Sequence, residues 1–271
     1  MSYSPEKILQ GAPNARDLGG IKTAQGKTLR FGKIIRSGHL NEITEEDAKY
    51  LEAIGLSKVV DFRTATERRQ RPDAVIPGAS YIECSILSEA TDGITREMPK
   101  EPEELAQFYV AQAARINQLA GGEEMIAGLY KKLTSDDHAI ESYGRFFDCL
   151  LDNENGCLLY HCTMGKDRVG TGTAYFLTAL GVPWESVVED YLYTKTRLND
   201  LTLQSLDRCR KYTDDKAVLD TIYAMDTVNE GYINAVKETA GALCGGLDNF
   251  IREKLGMTEE KLERLRSLYL E

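Results

Sequence analysis

At 271 residues, the chain can bury roughly three quarters of the surface its unfolded form exposes and needs no disulfide or metal to fold. Its net charge of −10 and pI near 5.0 leave no broad basic face for nucleic acid or an anionic bilayer. Six cysteines (84, 149, 157, 162, 209, 244) without CxxC spacing and three scattered histidines exclude a disulfide scaffold and a structural zinc site. No apolar run approaches the ~20 residues of a membrane span, and MSYSPEKILQGAPNARD has no leader-like apolar core. The expectation is a cytoplasmic protein, with leaderless secretion left open, and no integral membrane association.

In chain order, GKIIRSG at 32–38 is an apolar, partly β-branched run ending in polar residues, which predicts a strand. ITEEDAKYLEAIG then predicts a helix: Thr44 caps, Asp47 answers it, Ala48, Leu51 and Ile54 share a face, and Gly55 closes. SKVVDFR at 57–63 is the second strand, and GCLLYHC at 156–162 the third, each followed by polar, loop-like sequence. The stretch 90–135 is longer than a connection needs, with Leu105, Phe108, Gln112, Ile116 and Leu119 near one helical face, so it reads as a helical insertion. It is either ordinary core packing or a lid. Residues 137–151 predict an amphipathic helix on Ile140, Tyr143, Phe147 and Leu150, and two helices separated by Gly181–Pro183 follow the third strand. The remainder, 214–271, is helical with stops at Gly245–Gly246 and Gly256.

This order predicts one α/β domain over 1–271: a central, mostly parallel sheet flanked by helices. Ligands of such sheets bind beyond the carboxyl ends of the strands, where Arg36, Asp61, Arg63 and Cys162 are expected to converge.

YHCTMGKDRVGTG at 160–172 carries the chemistry. Cys162 leaves a strand just before a helix N-terminus, a setting that stabilises a thiolate. Gly165 permits a tight turn, so the amides of Thr163, Met164, Gly165, Lys166, Asp167 and Arg168 can form an anion nest. Arg168 can return over the loop and offer a planar fork to two phosphate oxygens. The expected reaction is displacement of an alcohol or phenol from phosphorus by Cys162, then hydrolysis of the phosphocysteine, with no cofactor and no metal. Two carboxyls qualify to protonate the leaving group, Asp167 and Asp61. His161 is expected to orient the loop, and Asp61 and Arg63 either act directly or form a supporting ion pair.

HCTMGKDRVG resembles the signature loop of cysteine-dependent protein tyrosine phosphatases, and its GKDR form resembles the bacterial subgroup that also acts on phosphoinositides. NARDLGG at 14–20, RSGHL at 36–40, DFRTATERRQRPD at 61–73 and DYL at 190–192 are similar to other landmarks of that subgroup. The resemblance implies a phosphatase of protein phosphotyrosine, with phosphoserine, phosphothreonine or phosphoinositide activity besides, releasing phosphate. It gives Cys162 the role of nucleophile, Arg168 that of phosphate clamp, and Lys166 that of a cation favouring polyanionic substrates. Asp167 stands ahead of Asp61 as the acid because the loop fixes it near phosphorus. The family commonly has Ser or Thr where this chain has Val169, and that hydroxyl helps the phosphoenzyme break down. The alternatives are a lipid or inositol phosphate phosphatase with little protein activity and a sluggish phosphate-binding pseudophosphatase.

Overall fold

The structure, a computed structural model, describes residues 8–88, 99, 101–119 and 121–271. The chain runs β1 (Arg16–Asp17), β2 (Ile34–Ser37), α1 (Glu45–Ala53), β3 (Leu56–Asp61), α2 (Ala65–Gln70) and β4 (Ser80–Glu83). Three consecutive helices follow, α3 (Pro102–Leu119), α4 (Gly122–Ser135) and α5 (Asp137–Leu151), and then β5 (Cys157–His161). The rest is helical: α6 (Asp167–Ala179), α7 (Trp184–Cys209), α8 (Lys216–Asp226), α9 (Glu230–Cys244), α10 (Leu247–Glu253) and α11 (Glu259–Tyr269). Among the described residues no helix is long and apolar enough to cross a membrane.

The five strands lie in the order β1-β2-β5-β3-β4, parallel except for β1. This is the α/β architecture expected, with a mostly parallel sheet between helices. The strands read as continuous apolar runs because both faces are covered. Ile34, Val60, Leu158 and Tyr160 point into the larger core with α4, α5, α6, α9 and α10, while Ile35, Val59, Cys157 and Leu159 enter a second core with Leu51 of α1. A third small core joins α3, α7 and α8 through Ala106, Ala113, Leu206, Cys209, Val218 and Ile222.

Two features differ from the sequence expectation. The polar stretch after β3 contains α2, begun by a capping box in which Thr64 and Glu67 satisfy each other's backbone amides. On α3 the buried face is centred on Ala106 and Ala113, and Leu119 is 77% exposed. Small alanines let α3 approach α7 and α8 closely, which outweighs burial of the larger side chains. Of the 90–135 insertion, residues 90–98, 100 and 120 lie outside the described residues.

Candidate active site

Sheet register brings the ends of the predicted strands to one level. Ser37 of β2 and Asp61 of β3 both flank His161, the last residue of β5, so three parallel strands end together and Cys162 follows directly. The loop turns at Gly165, whose φ is +65°, and a Cβ there would lie 2.5 Å from the carbonyl carbon and oxygen of Ser37. Only glycine fits. Helix α6 then starts at Asp167 without a side-chain cap, so its first amides are available to an anion. Cys162 is buried at the base of this turn.

Arg168 is held in a fork. Its Nη1 and Nη2 donate to Glu67 Oε2 at 2.7 Å and Oε1 at 2.8 Å, and Thr163 Oγ1 donates to the same Oε1 at 2.5 Å. Burial opposes both charges, but their mutual attraction wins, holding the Glu67 carboxyl far below the usual carboxylate range and raising Arg168 above an ordinary arginine. Tyr143 donates to the Arg168 carbonyl at 2.9 Å, which secures the backbone beneath the guanidinium. The arginine is therefore held in one orientation by the protein itself, as a preorganised hydrogen-bond donor must be.

A second set of charges supports the loop from behind. Gly165 O accepts from Asn14 Nδ2 at 2.7 Å and from Arg36 Nη2 at 2.9 Å. Asp190 on α7 accepts from Arg16 Nε at 2.8 Å and Arg36 Nη1 at 2.6 Å, and Arg16 Nη1 in turn donates to Asn14 Oδ1 at 2.5 Å. Burial alone would raise the Asp190 pKa, yet the two guanidiniums outweigh it and hold the carboxyl below its usual value.

Asp61 lies on the other side of Cys162. Arg63 Nη2 reaches Asp61 Oδ2 and Asp73 Oδ2, each at 2.7 Å, and His161 Nε2 is 3.1 Å from Asp73 Oδ2. His161 Nδ1 lies 3.2 Å from the Cys162 carbonyl. Asp61 and Arg63 thus sit in an ion pair that braces the strand ends. Asp61, Asp73 and His161 bring three ligand atoms within 4.8 Å of one another, but the Arg63 guanidinium already supplies the positive charge between the two carboxylates.

Asp167 is placed differently. Its Oδ1 accepts from Lys166 Nζ at 2.8 Å and from Tyr130 of α4 at 2.7 Å. Lys166 Nζ also donates to the Met225 carbonyl of α8 at 2.9 Å, so its charge is directed toward α8. The neighbouring Asp226 is raised in pKa, chiefly by burial. Val169 is fully buried in the larger core, whereas Thr163 and Met164 remain partly exposed.

The sequence reading assigned no role to Glu67; the Thr64-x-x-Glu67 capping box was the available signal, since it fixes that carboxylate at the start of a helix. Asn14 and Asp73 lie within the NARDLGG and DFRTATERRQRPD segments without a role assigned to them there, and Tyr130 carried no local signal. Each acts through a partner distant in the chain or across the sheet.

A Mycobacterium tuberculosis protein named a triple specificity protein phosphatase is 22% identical over 279 positions, covering 97% of this chain and 98% of the relative. A provisionally named tyrosine-protein phosphatase of Cupriavidus necator is 28% identical over 258 residues, covering 95% of this chain and 85% of its own length. A tyrosine-protein phosphatase of Nostoc commune is 23% identical, covering 86% of this chain and 72% of its own. The family model described as "Tyrosine phosphatase family" matches residues 8–271, essentially the whole fold that carries the loop, and the chain belongs to the tyrosine phosphatase family.

Proposed function

We propose that the protein, acting as one domain, hydrolyses phosphate monoesters through a phosphocysteine on Cys162, with protein phosphotyrosine as its main substrate class. The observation that carries this reading is the Arg168 guanidinium, held by Glu67 across a loop whose glycine turn leads from Cys162 into an uncapped helix. The Cys162 sulfur attacks phosphorus while the ester P–O bond breaks, and the departing oxygen takes a proton from Asp167. Water then attacks phosphorus, the S–P bond breaks, and Asp167 recovers a proton as phosphate leaves. Asp167 is preferred to Asp61 because Arg63 already engages both oxygens of Asp61.

The triple-specificity name of one relative supports a range of substrates wider than phosphotyrosine alone. Lys166, turned toward Asp167 and Met225, favours the protein substrates over the polyanionic ones. Rapid acid quench of the native protein with a phosphotyrosyl peptide is expected to leave a phosphate on the peptide containing Cys162. Tight phosphate binding with neither adduct nor turnover on any aryl phosphate would instead identify a pseudophosphatase.

Val169 bears on the second half of the reaction. Lacking a hydroxyl, it offers no hydrogen bond to the departing sulfur. Val169→Thr is expected to raise steady-state turnover about 5- to 150-fold, for one restored hydrogen bond of about 1–3 kcal/mol, and to shrink the phenol burst. Equal turnover in the two proteins would sink the idea.

A further inference from the structure

We infer that Tyr130, backed by Tyr191, is a positioning residue that determines which oxygen of Asp167 carries the transferable proton. The inference rests on the reading of Asp167 as the general acid.

Tyr130 OH donates to Asp167 Oδ1 at 2.7 Å and lies 2.6 Å from Tyr191 OH. Each phenol has one hydrogen. Since that of Tyr130 is committed to the carboxylate, the second contact uses the hydrogen of Tyr191, and the chain runs from Tyr191 to Tyr130 to Asp167 Oδ1. Burial first, and then the charge of Asp167, hold both phenols well above a tyrosine's ordinary pKa, so they stay protonated as donors. With Lys166 Nζ also on Oδ1 at 2.8 Å, that oxygen meets two donors and has no use for a hydrogen of its own. Neutral Asp167 therefore carries its proton on Oδ2, and when the proton leaves, the carboxylate is already solvated on Oδ1. The side chain does not need to rotate during transfer.

The phenols are fixed by packing. Tyr130 is fully buried and Tyr191 nearly so. Their rings meet edge to face at 6.0 Å, and Tyr130 stacks on Tyr232 at 5.8 Å. Gly170 lies flat against Tyr191, where a Cβ would come within 3.0 Å of two ring carbons. Phenylalanine at both positions would fill the same space, so the two hydroxyls serve the polar chain that ends on Asp167.

The test measures kcat/KM for aryl phosphates with phenols of graded acidity, because this constant covers only the steps up to phenol release. Tyr130→Phe is expected to lower it about 5- to 10-fold for phenyl phosphate, the effect of one lost hydrogen bond, and less than about twofold for p-nitrophenyl phosphate, whose phenol leaves without a proton. Tyr191→Phe, which keeps the bond to Asp167, should shift the dependence in the same direction by less, and serves if the first variant folds poorly. A drop uniform across leaving groups, or no drop, overturns the inference. Asp167→Asn distinguishes the two levels: if it leaves the leaving-group dependence unchanged, the acid reading itself fails, whereas if it steepens the dependence and the tyrosine variants do not, only the positioning role fails.

Discussion

Lysine in place of Arg168 is expected to lower kcat/KM on an aryl phosphate about 10³-fold, in the upper part of the range for loss of a transition-state donor. The native guanidinium makes parallel bonds to both oxygens of Glu67 and stays planar over the loop. A lysine presents a single nitrogen on a flexible stem. It can satisfy Glu67 or a phosphate oxygen but not hold both geometries, and the unneutralised carboxylate then repels the substrate. Steady-state kinetics with phosphate as a competitive inhibitor check this, and a loss below tenfold would overturn the clamp assignment. Cys162→Ser, whose hydroxyl is not ionised at neutral pH, should show no turnover above background while still binding phosphate.

The second large effect is on stability. Asp190 is the shared anion between Arg16 and Arg36, both fully buried, and Asp190→Asn leaves two guanidiniums in the interior without a counter-charge. Breaking such a buried network costs about 3–5 kcal/mol, which corresponds to a fall in Tm of roughly 10 °C for a chain of this size. Circular dichroism on heating would show it; a shift under about 2 °C would mean that the network relaxes. Because the folded-state pKa of Asp190 is depressed, its contribution is present above the unfolded carboxylate value near 4 and is lost as pH falls through the folded value. The variant should accordingly lose less stability than the native protein on acidification.

The sheet and the turn that follows Cys162 were legible in the sequence because they depend on local pattern. Runs such as CLLYH are apolar on consecutive residues, the mark of a strand covered on both faces, and α5 showed its stripe over the same residues the structure gives, Asp137–Leu151. The edges were not legible: β1 has two residues and β4 is largely exposed, so neither leaves a hydrophobic signature. The α3 face was misjudged because close helix approach selected alanines over larger side chains. At the site, Cys162 and Arg168 declare themselves through spacing, whereas Glu67 is 101 residues from the arginine it orients and Tyr130 is 37 residues from Asp167. The Thr64-x-x-Glu67 box marks a helix start, but nothing local shows that this carboxylate also reaches Arg168.

The two donors on Gly165 O come from residues 151 and 129 positions away, and the brace between Arg16 and Asp190 spans 174. The cradle is therefore assembled by closures of long sequence separation, available to a growing chain only late in its synthesis. Contacts of such sequence separation slow folding and form only after the nearer elements are in place. Until residue 190 has been synthesised and docked, Arg16 and Arg36 behind the segment bearing Cys162 lack their shared counter-charge. Recovery of phosphatase turnover during refolding thus reports this long-range docking, later than the signal from local helix formation.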